Sequence, residues 1–429
     1  MRVQAQVRRP ASVGSEAVAD QGVLAVRAGR LVDVVAGTLL ADQTIVVADE
    51  RVVRVQPGAE PLPDGSRLLD YSSCTVMPGL IDLHTHLVGP IEAGDPLSIL
   101  QRSAAVEALI GVRNAGATLR AGFTTVRDVG SFRAFVDVAL RDAIESGTVV
   151  GPRMRCAGAY VTCTGGGGEI TGATPDVTLP AELRFGVADT ADEIARAVRR
   201  ILGGGADLIK VIATGAVLAP GTDPGAPEYT EAQIRAAVEV ATDHGAFVAA
   251  HAHGAEGAKR AIRAGVRSIE HGSLLDEEAL DLMGEHGTWL VADVYNGTWI
   301  GEVGKREGWP QATLAKNAAT TDTQRAVFAQ AVQRGLNVAF GTDSGVYPHG
   351  LNARQLPIMV GLGMTPLAAI RSATLDAATC LGWQDAVGSL QPGRFADLVA
   401  VPGHDLGNLE ILAKPSAVLK SGTEVRLSA

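Results

Sequence analysis

The sequence predicts an α/β fold: a (β/α)8 (TIM) barrel carrying a small β-sandwich assembled from the two ends of the chain. Three observations carry this. Short apolar runs alternate with amphipathic stretches through the middle, glycines stand at the junctions, and valine-rich alternation is confined to the ends. Of 429 residues 51 are glycine, many in "AGF", "HGA", "AGV", "HGT" and "RGL", where a helix ends and a β-branched or aromatic run begins.

Residues 1–20 hold basic residues but no apolar stretch of signal-peptide length, and read as a flexible tail. Residues 21–78 and 385–429 alternate valines with polar residues and turns, which are antiparallel-strand signals. Neither end has strands enough to bury both faces alone, so the two are expected to pair as one composite domain. The barrel, 79–384, is then an insertion in it. Its eight strands are read at 76–87, 122–130, 153–162, 208–214, 247–253, 268–274, 288–294 and 337–345. Between them, stretches such as "TEAQIRAAVEVATDHG" repeat apolar residues at three and four, with Thr230 as the expected N-cap.

Composition narrows the function. A formal net charge of -10 without a basic stripe argues against nucleic acid, and no apolar run reaches membrane-spanning length. Four cysteines without CxxC spacing suggest reduced thiols and a cytoplasmic protein. Small molecules or dipeptides are the expected substrates, and a homo-oligomer the expected assembly.

In such a barrel the chemistry lies at the C-terminal ends of the strands. "VMPGLIDLHTHL" ends in His84 and His86, which, two apart on a strand, point to one face. Lys210 lies on strand 4, His251 and His253 end strand 5, His271 strand 6, and Asp343 strand 8. Five of nine histidines thus fall at one rim, whereas His244 and His286 precede glycines at helix ends, where a cation meets the negative end of the dipole. Burying so many imidazoles with a carboxylate calls for a cation; imidazole and carboxylate suit Zn²⁺ and related ions, in number enough for two. An ammonium repels a metal, so Lys210 is useful only if CO₂ converts it to a carboxylated lysine.

These residues lie in "PGLIDLHTHL", "DLIKVIATG", "VAAHAHGAEGAKRAIRAGVRSIEHG", "FGTDSG" and "GSLQPGRFADLVAV", and with them the chain resembles the amidohydrolase superfamily. The similar branch includes imidazolonepropionase-like hydrolases, bacterial Xaa-Pro and Xaa-Arg dipeptidases and ochratoxin-hydrolysing amidases. The resemblance implies His251 and His271 as ligands, Lys210 as a carboxylated bridge and Asp343 as the strand 8 aspartate. It also marks two departures. Members often read "TGGHG" after strand 3, where this chain has Gly167 in place of the histidine, and two glycines after the strand 4 lysine, where it has Ala216.

The implied enzyme is a binuclear hydrolase cleaving the amide of a dipeptide or N-acyl amino acid, ochratoxin-type amides included, by metal-activated water. His84, His86 and Asp343 are expected to hold one divalent ion, His251 and His271 the other. Asp343 is also the expected proton carrier. His253 is expected to diverge from His251, because the strand is ending before a helix near Glu256, and to face the substrate carbonyl or oxyanion. Rival readings are a mononuclear imidazolonepropionase-like enzyme, with Glu256 in an HxxE, an aryl-urea or carbamate hydrolase, and a metal-free scaffold. Substrate contacts are sought at Arg127, Tyr160, Thr164, Tyr229, Tyr295 and His349; Arg127 reads equally as an ion pair with Asp128.

Overall fold

The valine alternation at the chain ends builds strands that share a sheet. In the computed structural model, which describes residues 22–89, 97–174 and 176–427, the N-terminal segment forms β1 (Leu24–Asp33), β2 (Thr38–Ala48), β3 (Arg51–Pro57) and β4 (Arg67–Pro78). The predicted tail, 1–20, lies outside the described residues. The middle of the chain contributes β5 (Leu80–Thr85), β6 (Phe123–Asp128), β7 (Arg153–Cys156), β8 (Tyr160–Val161) and β9 (Ile209–Ile212). It continues with β10 (Val248–Gly254), β11 (Ser268–Leu274) and β12 (Trp289–Val291), and the C-terminal segment adds β13 (Leu398–Pro402), β14 (Ala417–Lys420) and β15 (Thr423–Glu424).

Both ends join one seven-stranded sheet, ordered β15-β14-β13-β4-β1-β2-β3. Its seam is the antiparallel pair β4–β13, where Met77 faces Val399. Successive side chains take opposite faces, so Val76, Leu398 and Ala400 enter the sheet's own core with Val26 and Ile45, while Met77, Val399 and Val401 pack on the central domain with Leu80 and Phe123. The sequence suggested antiparallel pairing throughout; β1 and β4 instead run parallel, because residues 58–66 return the chain to the start of β1, where the Arg67 N–H donates to Val23 O at 2.9 Å.

The central strands form two parallel sheets, β5-β6-β7 and β12-β11-β10-β9-β8. Predicted strand 3 is broken: Gly158, at φ +73°, turns the chain so that β7 stays with β6 and β8 joins β9. Predicted strand 8 forms isolated bridges, Val338 to Leu290 and Ser344 to Thr85, with the Leu83 N–H donating to Phe340 O at 3.0 Å and the Ala339 N–H to Leu290 O at 3.0 Å. This segment thereby touches β5 on one side and β12 on the other. Its own ladder is interrupted at Asp343, whose φ is +57°.

Helices fill the connections. Thr230 caps Glu231–Asp243 in a reciprocal capping box with Gln233, and His244 at its far end bonds Val240 O through Nδ1 at 2.8 Å. Gly265 and Gly287 end the helices before β11 and β12 at φ +95° and +66°, a backbone region that favours glycine.

Candidate active site

The site begins with β5, whose six residues are all buried. His84 lies in β5 and His86 one residue past its end; both rings come to the same side, as their spacing suggests, and each is held from behind. His84 Nδ1 lies 2.9 Å from Glu270 Oε2, and His86 Nδ1 donates to Gly130 O at 2.8 Å. Their Nε2 atoms then converge on Asp343 Oδ1, at 3.5 and 3.2 Å. Holding Nδ1 to leave Nε2 for a ligand is how proteins orient metal-binding imidazoles. Burial, then the nearby Lys210 charge, pushes His84 well below the usual histidine range. Burial also opposes protonation of His86, but the hydrogen bond and charge of Asp343 outweigh it and raise its pKa.

Strands β9, β10 and β11 bring the other donors. Lys210 is buried and its Nζ has no hydrogen-bond partner among the described residues; burial lowers its pKa to about 8. His251 turns Nε2 to Gly215 O at 3.2 Å, leaving Nδ1 available, and His271 turns Nδ1 to Asp293 Oδ1 at 3.0 Å, leaving Nε2. The expected divergence at His253 does not occur. β10 continues to Gly254, so the His251 and His253 ring centroids stay 4.7 Å apart, and both rings lie within 4.6 Å of that of His271. His253 Nδ1 pairs with Ser273 Oγ at 2.8 Å, and its pKa is held low by burial, by His271 and, more weakly, by Lys210 and Lys316.

Among the described residues, three groups of side chains could hold a cation: His84, His86 and Asp343; His251, His253 and His271; and His271, Asp293 and Asp343, each with donor atoms within 4.8 Å of one another. His271 and Asp343 both adopt positive φ, +69° and +57°, in the region that disfavours non-glycine residues. Such strain persists only where surrounding contacts over-determine it. The orphaned Lys210 Nζ, amid histidine nitrogens and carboxylate oxygens, fits a lysine converted to a ligand better than a buried ammonium.

Several neighbours of these residues escaped the sequence reading. Asp293, the last polar residue of the predicted seventh strand, accepts from Gln324 Nε2 at 2.7 Å and from Asn296 Nδ2 at 3.0 Å. Burial would raise its pKa, but the charge and hydrogen bond of His271 hold it well below the usual carboxylate range. Asn296 also donates to Asp343 Oδ2 at 3.0 Å, and so sets the rotation of both carboxylates. Glu270 stands beside His271 in "SIEHG", but alternation turns it inward to His84 and Arg127.

The donors open into a cavity of about 290 Å³ walled by Ile170, Val217 and Leu218 and by one face of the helix Gln311–Gln333. Of the sought substrate contacts, Tyr160 lines it, with its hydroxyl 3.2 Å from His86 Nδ1. The others are corrections. Arg127 is wholly buried behind the site and bonds Leu83 O, Ser268 Oγ and Glu270 Oε1, so it is neither on the cavity wall nor paired with Asp128. The Tyr229 hydroxyl donates to Ala188 O, His349 bonds His86 O through Nε2, Thr164 bonds Asp189, and Tyr295 Oη accepts from Arg354, all away from the cavity lining. Glu256 opens the helix Ala255–Ala264 on its exposed side and pairs with Arg260 at 2.8 Å. Gly167 and Ala216 meet at the wall: a Cβ at Gly167 would come within 3.1 Å of Ala216 N.

The sequence profile of the amidohydrolase family matches residues 75–426. The chain is 33% identical over 358 residues to the ochratoxinase of Aspergillus niger, covering 80% of this chain and 73% of that one. It is 27% identical over 392 residues to the imidazolonepropionase of Micrococcus luteus, covering 84% and 88%. Among solved structures, a Xaa-Pro dipeptidase with methionine bound in its active site superposes with a TM-score of 0.87 at 36% identity, covering 94% of this chain and 99% of that one. With residues 75–426 matched and the histidine and aspartate donors gathered at one cavity, the chain belongs to the amidohydrolase family, hydrolases of amide-type C–N bonds.

Proposed function

We propose that the protein is a binuclear metal-dependent amidohydrolase cleaving the amide bond of a dipeptide or N-acyl amino acid, ochratoxin-type amides included. The observation that carries this is the buried Lys210 Nζ, without a hydrogen-bond partner among the described residues, on the same cavity as the His84–His86–Asp343 and His251–His253–His271 groups. His84, His86 and Asp343 would hold one divalent ion and His251 and His271 the second, Zn²⁺ suiting this nitrogen and oxygen set. Lys210 would bridge them after its neutral Nζ adds to CO₂, forming an N–C bond and losing one proton. Two bound cations would acidify water and polarise the scissile carbonyl.

The chain's own residues do the rest. Asp343, rotationally fixed by Asn296, receives a proton from the attacking water and returns it to the leaving nitrogen. His253 Nδ1 lies 2.8 Å from Ser273 Oγ; with the Ser273 hydroxyl donating there, His253 would carry its proton at Nε2 and donate it in a hydrogen bond to the developing oxyanion. Tyr160, beside His86 on the cavity wall, is the substrate contact retained. The hydrogen bonds of residues 337–344 to both flanking strands support reading 79–384 as a closed (β/α)8 barrel, with 21–78 and 385–429 as the composite sandwich. The free cysteines are consistent with a cytoplasmic location, and among the described residues no helix is long and apolar enough to cross a membrane. A homo-oligomer remains part of the proposal.

A single-ion enzyme of the imidazolonepropionase or aryl-urea type is the second reading, favoured by the compact His251–His253–His271 group. Elemental analysis of protein purified without chelator separates the two: near two ions per chain supports the bridge, near one the alternative. A panel of dipeptides and N-acyl amino acids, followed by amine release, tests the chemistry. Metal-replete protein that cleaves no member overturns the substrate class.

A further inference from the structure

We infer that Lys316 receives the α-carboxylate of the substrate, so that the site selects amides of amino acids whose carboxyl group is free. The inference rests on the amide hydrolysis proposed above and names the side chain that recognises the leaving half. Lys316 lies on the helix Gln311–Gln333, which presents a buried polar stripe at intervals of three and four residues, Thr313, Asn317, Thr320 and Gln324, and lines the same cavity as the metal-type donors. Most of the stripe is engaged within the protein, Asn317 donating to Gly297 O, Thr320 to carbonyls of its own helix and Gln324 to Asp293 and His271 O, which leaves Lys316 as the cation this helix brings to the cavity.

The surroundings of the ammonium single it out. Its Nζ donates to Ala216 O at 3.2 Å and Ala219 O at 2.8 Å in the loop after β9. An ammonium has three donors, so two carbonyls leave one N–H for a ligand. Among the described residues Lys316 forms no ion pair; Asp223 favours its charge from a distance, against burial, which lowers the pKa. Arg102, another cation on the wall, is already engaged electrostatically with Glu107, and Lys210 stands among the metal-type donors. Val217 and Leu218, from the loop that Lys316 pins, supply apolar neighbours that would strengthen a charge-assisted bond by excluding water.

The test uses metal-replete enzyme and paired probes: N-acetyl and glycyl derivatives of leucine, phenylalanine and proline, each as free acid and as α-carboxamide. Wild type should prefer the acid of each cleaved pair. Lys316→Met should raise KM for the acids by roughly 10- to 100-fold and leave the carboxamides nearly unchanged, while Lys316→Arg should keep most of the preference. Calorimetry should show the same loss in the affinity of Lys316→Met for the product amino acid, with the amino acid amide unaffected. A purely structural role in pinning the loop would depress acid and amide alike, and that result overturns the inference, as does equal turnover of acid and amide by wild type. Cleavage of none of these probes, nor of any other panel member, would instead overturn the amide-hydrolase reading and this inference with it.

Discussion

Glu270 Oε2 lies 2.9 Å from His84 Nδ1, and both side chains are almost fully excluded from solvent. The other Glu270 oxygen accepts from Arg127 at 2.7 Å and from Ser268 Oγ at 2.5 Å, so one buried carboxylate orients a proposed metal ligand and neutralises a buried guanidinium. Glu270→Gln keeps the size of the side chain but removes the charge. It should lower metal affinity by about 10- to 100-fold, as loss of an orienting partner does, and lower Tm because Arg127 is left buried beside a neutral group. Metal titration and thermal melts check both; unchanged metal affinity would show that His84 needs no such support.

His84→Ala and His86→Ala should each abolish turnover and reduce metal content while the fold survives, since both rings face the cavity, His84 from β5 and His86 from the residue just past its end. Circular dichroism and elemental analysis of the two variants provide the check. Full activity with normal metal loading in either would remove the binuclear arrangement.

Lys210→Ala should lose one or both ions, and short carboxylic acids should restore part of the activity by occupying the vacated bridge. In wild type, ¹³CO₂ should give a carbamate carbon resonance that the variant lacks. Intact activity in Lys210→Ala without added acid would exclude an essential bridge.

The paired histidines of β10 divide differently if the proposal holds. His251→Asn should lose metal and activity together. His253→Asn should retain metal and much of its substrate affinity, with kcat falling on the order of 10²- to 10³-fold, as for one lost oxyanion donor. Because the structure keeps both rings beside His271, metal stoichiometry with kcat and KM is the decisive pair of measurements. Metal loss in His253→Asn with retention in His251→Asn would exchange the two roles.

Much of this protein follows from short-range periodicity. Two residues per strand repeat and strands separated by helices are local properties, so the sequence alone located His84, His86, Lys210, His251, His271 and Asp343 at strand ends facing one rim, and the structure brings their side chains to one cavity. The same reasoning located the capped helix at Thr230 and paired the two ends of the chain, which the structure joins in one seven-stranded sheet. Tertiary structure decided which polar side chains near that rim turn toward the cavity. Arg127, Tyr229 and His349 turn to Glu270, to a carbonyl of Ala188 and to a carbonyl of His86, partners that lie 143, 41 and 263 residues away in the chain. Asp293 and Lys316 are legible only once β11 and the loop after β9 are packed against them. A buried polar group goes wherever its hydrogen bonds can be met, and that choice depends on neighbours that only the folded chain assembles.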